Sequence, residues 1–130
     1  MDLERDLANP DLEEEGVWAS WRDGARFKVA RLGNKKFRRL WDSKRRPFLK
    51  QIRQDKFPPD DELRISCECL AETVLLDWDG IEANGKKLKY TPALGIQYLM
   101  QSQELRNAVT ELADDEENFR VDVAEESAGN

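Results

Sequence analysis

The sequence contains no histidine, and this absence removes several kinds of chemistry at once. Histidine is the commonest general acid–base and metal ligand, and it is the centre of Ser-His-Asp triads. Cysteine is almost as scarce, since Cys67 and Cys69 alone cannot form a disulfide framework. On one helix, residues two apart point in diverging directions, so these thiols are expected to be buried apolar groups instead of zinc ligands. We therefore expect no metal, no cofactor and no enzymatic activity.

Long apolar runs are also missing, because no stretch approaches the roughly 18 residues that a membrane span requires. The first residues, from Met1 to Asp6, are acidic and lack the basic-then-apolar order of a signal peptide. The length of 130 residues suits one domain with a single core. We expect an intracellular protein without a membrane partner.

Two patterns resemble ligand-binding loops but fail in detail. Residues 80–86 have the glycine and lysine spacing of a phosphate-binding loop, but Lys87 stands where Ser or Thr would hold magnesium. Asp77 and Asp79 precede Gly80, yet this glycine comes too early for the calcium loop of an EF-hand. A turn with a lysine-rich exit and an exposed helix end are the expected structures.

Charge is distributed in blocks along a chain whose net charge is −6. Residues 16–58 hold fourteen basic and three acidic side chains, a net charge of +11. Acidic residues dominate 1–15 and 59–79, each with a net charge of −6, and 111–130, with −7. Such asymmetry indicates a charged binding surface, or blocks that neutralise one another within the fold or between copies.

Periodicity predicts a mainly α-helical domain of about four helices with one N-terminal β-hairpin and disordered acidic ends. The Asp23-Gly24 pair separates two short strand-like runs and predicts a hairpin over 17–31. Apolar spacing is most regular from Leu63 to Trp78, which predicts a central, buried helix. Cap and proline signals predict that helices begin near Asn34, Pro58, Thr91 and Ser102.

The domain organisation follows from composition. Residues 1–15 are expected to form a flexible acidic arm or one short helical turn, and 121–130 a disordered acidic tail with little to bury. A single helical domain is expected between them, over 16–120.

Aromatic and basic residues concentrate in the hairpin and in the helix after it. Basic side chains interleaved with aromatic rings bind nucleic acid, so a small nucleic-acid-binding or regulatory protein that uses block 22–56 is one alternative. The acidic blocks would repel a polyanion, which favours a protein partner. The alternative for the hairpin aromatics is that they cap the helical core. The predicted partner-binding residues are Trp18, Trp21, Phe27, Arg38, Arg39, Arg45 and Arg46.

Several short motifs follow one another in a recognisable order between residues 16 and 120. They are Gly16-Val17-Trp18, Phe27-Lys28-Val29-Ala30-Arg31, Gly33-Asn34, Leu75-Leu76-Asp77-Trp78 with Gly80, then Leu88, Tyr90 and Pro92, and finally Glu117-Asn118-Phe119-Arg120. In this order the chain resembles the tail assembly chaperones of long, non-contractile-tailed bacteriophages, specifically those of the HK97-like phages. The shared order carries the resemblance, because the single motifs are short.

The resemblance implies a mainly helical protein made late in infection in the host cell cytoplasm. Such a chaperone binds the tape measure protein, a long and aggregation-prone helical rod, and keeps it soluble. It helps to recruit tail tube protein around the rod and is absent from the mature virion. A longer form of the same protein, made by ribosomal frameshifting, is a further implied partner. Because opposed charge blocks allow copies to stack, a homo-oligomer is also expected.

Overall fold

The structure, a computed structural model, describes residues 1–121 and 123. This part of the chain is a mixed α/β domain, 59% helical and 14% strand, with a three-stranded and a two-stranded sheet. The expectation of a mainly α fold with a single hairpin is therefore wrong. The fold differs from this expectation because a third strand joins the hairpin and replaces the end of the longest predicted helix.

The hairpin forms at the predicted place. Strands β1 (Val17–Ser20) and β2 (Arg26–Val29) pair in antiparallel fashion. Asp23 and Gly24 have positive φ angles of 51° and 79°, which is the conformation that a tight hairpin turn requires. Residues Phe27 and Val29 of β2 point into the core, because alternate residues of a strand face opposite sides.

The largest difference from the sequence prediction concerns the segment after helix α5 (Pro59–Thr73). The chain continues as strand β3 (Leu75–Asp79), which pairs with β2 and places Trp78 opposite Phe27. Apolar residues at positions 74, 75 and 78 extend the spacing of α5, which is why the sequence predicts a helix through Trp78. Pairing with the hairpin overrides that local pattern, as tertiary contacts commonly do for short apolar runs.

Tyr90 holds the junction between α5 and β3. Its hydroxyl lies 2.8 Å from the carbonyl oxygen of Leu75 and also contacts that of Ala71 in the last turns of α5. Burial raises the pKa of this hydroxyl above its ordinary value, and the nearby Asp77 and Glu72 raise it further. The group therefore stays protonated as a hydrogen-bond donor to these carbonyls.

The basic segment after the hairpin folds into two helices. Helix α3 (Lys35–Arg45) begins at Asn34, whose side chain accepts a hydrogen bond from the amide of Phe37. Pro47 lies in a 3₁₀ turn (Arg46–Phe48), and helix α4 (Leu49–Arg53) follows. Because proline cannot donate a backbone hydrogen bond, the helix is interrupted there.

The second half of the chain completes the domain. Strands β4 (Glu82–Ala83) and β5 (Lys86–Lys87) form a small hairpin around Asn84 and Gly85. Helices α6 (Pro92–Gln101) and α7 (Gln103–Asp114) and a 3₁₀ turn (Glu116–Phe119) follow it. The side chains of Thr91 and Ser102 cap the two helices at the predicted positions.

The acidic N-terminus contains two short helices, where the sequence predicts a disordered end or one short helical turn. Helices α1 (Leu3–Asp6) and α2 (Pro10–Glu15) form there. The Asn9 side chain caps α2, and the Asn9 amide donates to the Phe119 carbonyl at 2.9 Å, which ties α2 to the domain. The predicted disordered tail, 121–130, lies outside the described residues except for Val121 and Val123.

One core joins the inner face of the larger sheet to α5, α6, α7 and the last 3₁₀ turn. Both cysteines are free and fully buried, as expected for small apolar side chains. Within the described residues, no helix combines the length and the apolar character that crossing a membrane requires. The fully buried side chains with the largest volumes are Phe27, Phe119, Ile65, Leu75 and Leu99.

Candidate functional site

The helical segment over 35–57, which we name the basic arm, is the most unusual surface of the described chain. It comprises α3, the 3₁₀ turn, α4 and the residues up to Phe57. Not one residue of α3, the turn or α4 is buried. A helix that only supports a core buries its apolar stripe completely, so a stripe that stays partly exposed indicates room for a partner.

The apolar side of the basic arm is organised by ring contacts within the arm itself. Phe37 stacks on Trp41 with 5.9 Å between ring centroids, and Phe48 stacks on Phe57 at 5.3 Å. Among the apolar side chains of the arm, Phe37 alone packs against the main core. The other rings are partly buried, and they form one stripe with Leu49, whose exposed fraction is 39%.

A salt-bridge network attaches the arm to α5. The Lys44 ammonium lies 2.6 Å from a Glu68 oxygen, and Arg64 donates to the other Glu68 oxygen at 2.7 Å. Hydrogen bonding to Glu68 raises the pKa of Lys44. Burial raises the pKa of Glu68, but the hydrogen bonds from Lys44 and Arg64 outweigh it and hold that pKa below its usual value. The arm is thus held by polar contacts as well as by Phe37.

The rest of the arm's charge is not neutralised in this way. Residues 35–57 hold ten basic and two acidic side chains, a net charge of +8. Arg38, Arg39 and Arg46 are exposed, and no acidic side chain of the described chain lies within 4 Å of them. Arg45 is half-buried, with its guanidinium carbon 5.3 Å from the Trp41 ring centroid. Cations therefore flank the apolar stripe.

The hairpin aromatics lie elsewhere and differ among themselves. Phe27 is completely buried and belongs to the core, so its ring offers no surface to a partner. Trp18 lies on the outer face of the sheet, half-buried, with the Arg26 guanidinium carbon 5.3 Å from its ring centroid. Trp21 follows β1 and is also half-buried, 5.5 Å from the Phe27 ring.

The seven predicted partner residues thus fall into two regions. The arginines lie on the basic arm beside α5, and the tryptophans lie on and beside the larger sheet. Sequence reasoning misses the ion pair between Arg22 and Glu104, which joins the hairpin turn to the start of α7. These residues are 82 positions apart, and no local pattern signals their contact.

Comparison with protein families identifies a protein of prophage origin. Residues 32–130 match the model of the YdaY prophage protein, and the chain belongs to that family. The matched residues include the whole basic arm and helices α5, α6 and α7, while strands β1 and β2 precede them. No curated protein matches the chain, and no solved structure matches it.

Proposed function

We propose that this prophage protein is a tail assembly chaperone without enzymatic activity that acts in the host cell cytoplasm. Its client is the tape measure protein, which it binds and keeps soluble while tail tube protein is recruited around the rod. The chaperone forms homo-oligomers, associates with a longer frameshifted form of itself and is absent from the mature virion. The prophage family supports the phage setting. The motif order described above supports the finer role.

The observation that carries the proposal is the partly exposed apolar stripe of the basic arm, flanked by exposed arginines. A long helical client exposes apolar faces before it is assembled, and such faces aggregate unless another surface covers them. The partly exposed rings of Trp41 and Phe48 supply contact area, and the flanking arginines supply long-range attraction. An amphipathic helix with acidic residues beside its apolar face has the complementary chemistry.

The experiment is co-expression with the tape measure protein of the same prophage, followed by pull-down and measurement of the soluble fraction of the rod. The test variant is Arg38→Glu, Arg39→Glu and Arg46→Glu combined. All three side chains are exposed, so the fold is expected to survive. Co-purified rod is expected to fall at least about tenfold, because attraction becomes repulsion.

A matched control has the same change in charge at another place. Lys86→Glu, Lys87→Glu and Lys89→Glu alter three exposed lysines on and after the small hairpin, outside the arm. Capture of the rod by this control is expected to stay within about twofold of the unchanged protein. Equal loss in both variants would contradict a role for the arm, and an insoluble rod with the unchanged protein would contradict the chaperone function.

A nucleic-acid-binding or regulatory role is the second candidate, and the net charge of +8 on the basic arm favours it. Exposed arginines beside a tryptophan ring are suited to phosphates and to stacking on bases. In that case affinity for single-stranded oligonucleotides would fall steeply with salt concentration, and the arginine variant would abolish it. The chaperone proposal expects no such binding at physiological salt.

A further inference from the structure

Two adjoining hollows lie along the first half of α7, away from the basic arm. The first is an apolar cleft of about 240 Å³ walled by the rings of Trp21, Trp78 and Tyr98. The second is a polar hollow of about 460 Å³ that extends along α7 to Glu111. Trp21 and Glu104 line both, so the two hollows form one groove, which we name the α7 groove.

Arg22 lines the first hollow and contacts Trp21 and Glu104, the two residues that line both hollows. Its guanidinium carbon lies 4.3 Å from the Trp21 ring centroid. Both terminal nitrogens donate to the two Glu104 carboxylate oxygens, with 2.9 Å between Nη2 and Oε2. An aromatic face together with a bidentate carboxylate is the chemistry that best recognises a guanidinium group. The groove therefore contains an arginine subsite that is filled from within the chain.

This internal pair is replaceable. The Arg22 and Glu104 side chains are 52% and 60% exposed, and surface pairs of this kind contribute little to stability. Arg22 belongs to a hairpin turn, so its side chain can swing away without disturbing the core. Once it leaves, the carboxylates of Glu82, Glu104 and Glu111 remain in the groove with no basic side chain among the described lining residues.

We propose that the α7 groove binds a basic amphipathic helix of another protein. A bulky apolar side chain of that helix enters the cleft between Trp21 and Trp78. An arginine about one helical turn away replaces Arg22 on the Trp21 ring and the Glu104 carboxylate. A further basic side chain of the partner helix forms an ion pair with Glu111. Glu111 lies seven residues after Glu104 in α7 and on the same face of that helix.

Charge separates this partner from the client of the basic arm. The arm suits an acidic surface, whereas the α7 groove suits a basic one and repels nucleic acid. The inference thus goes beyond the proposed function, and it stands or falls independently of the tape measure protein.

The test uses a synthetic fluorescein-labelled helical peptide with a leucine stripe flanked by arginines, and the full chain. Fluorescence anisotropy gives its affinity, and an acidic peptide with glutamate in place of arginine is the matched ligand control. Glu104→Gln combined with Glu111→Gln is expected to lower the affinity for the basic peptide roughly tenfold. Asp114→Asn combined with Glu116→Gln removes the same charge from exposed positions that do not line either hollow, and it is expected to change affinity less than about twofold.

Arg22→Gln best distinguishes a replaceable internal arginine from a structural ion pair. It frees Glu104 and is expected to raise the affinity for the basic peptide about threefold. If the ion pair were merely structural, replacing Arg22 would give no gain in affinity for the peptide. Trp21→Phe keeps a ring in the wall and is expected to weaken binding less than the paired glutamate variant. Equal affinity for both peptides, equal loss in groove and control variants, or weaker binding by Arg22→Gln would each overturn the proposal. The arginine variant of the basic arm is expected to bind the peptide like the unchanged protein.

Discussion

The larger sheet and the basic arm have similar compositions, yet they differ in how deeply the fold buries their apolar side chains. Both alternate aromatic with basic residues. In the sheet, Phe27 and Val29 are completely buried while the neighbouring Arg26 and Lys28 remain partly exposed. In the arm, no residue from α3 through α4 is buried. The sheet is therefore a folding unit, and the arm is a surface attached to it.

The difference comes from how many layers cover each element. A strand places alternate residues on opposite faces, and α5, α7 and the last 3₁₀ turn pack on the apolar face of the sheet. Helix α3 packs on α5 along one side, and its remaining apolar side chains stay partly exposed. Aromatic residues interleaved with basic residues thus indicate a binding surface only where no second layer of the domain buries them.

The largest expected effect compares one ring from each region. Phe27→Ala removes a completely buried ring and is expected to lower the free energy of unfolding by about 3–5 kcal/mol. Trp41→Ala removes a partly buried ring from the arm and is expected to cost less, about 2 kcal/mol, because part of its apolar area is already exposed in the folded state. Urea denaturation of both variants measures this. Comparable losses would mean that the arm is part of the core.

Two glycines test how tightly the end of β3 packs on the hairpin turn. A Cβ at Gly80 would lie 2.3 Å from the Gly24 carbonyl oxygen, whereas a Cβ at Gly85 would meet no atom within 4 Å. Both glycines have positive φ. Gly80→Ala is expected to cost about 3 kcal/mol and Gly85→Ala about 1 kcal/mol, since only the first adds a backbone clash to the strain. Thermal unfolding that ranks the two equally would contradict the close approach.

The next effect concerns the junction between α5 and β3. Tyr90→Phe leaves the Leu75 and Ala71 carbonyls without this donor and is expected to cost about 1–2 kcal/mol. Tyr98→Phe is the control, because the Tyr98 hydroxyl has no hydrogen-bond partner in the part of the chain described. Denaturant unfolding of the two variants is expected to separate them clearly. If Tyr90→Phe lost no more free energy of unfolding than Tyr98→Phe, the Tyr90 hydroxyl would not stabilise the end of α5.

The smallest effect is the attachment of the arm to α5. Glu68→Gln weakens the contacts with Lys44 and Arg64 and is expected to cost about 1 kcal/mol or less at pH 7. Because the folded-state pKa of Glu68 lies below its unfolded value, its contribution is present above the unfolded pKa, about 4.3. This contribution is lost as the pH falls through the folded pKa. The difference between the unchanged protein and the variant is therefore expected to shrink below about pH 4, as unfolding curves at several pH values would show. A constant difference would contradict the ion pair.

Local signals in the sequence account for much of the fold. The Asp23-Gly24 turn and the caps at Asn34, Thr91 and Ser102 depend on a few neighbouring residues, and the structure has all of them where they are predicted. Strand β3 was not predictable in this way, because Leu75 and Trp78 fit a helical period until a partner strand is present. The N-terminal helices have local caps at Asp2 and Asn9, but their attachment to the domain includes a distant contact, the one between Asn9 and Phe119.

The candidate sites follow the same rule. The exposed arginines of the arm were recognisable from charge and spacing, since they need no distant partner. The sequence predicts Phe27 at a partner surface, but the sheet pairing and the helices above it make it a core residue. The α7 groove was not predictable, because Trp21, Trp78 and Glu104 come from three separate parts of the chain.

Hydrogen exchange of the chain, alone and in complex with the tape measure protein of the same prophage, tests most directly whether the basic arm is the client surface. In the free protein, amides of the arm are expected to exchange faster than those of β2 and α5, because no side chain of α3 or α4 is buried. In the complex, the amides of 35–57 are expected to gain the largest protection. Unchanged exchange in the arm, with new protection only elsewhere, would contradict the account.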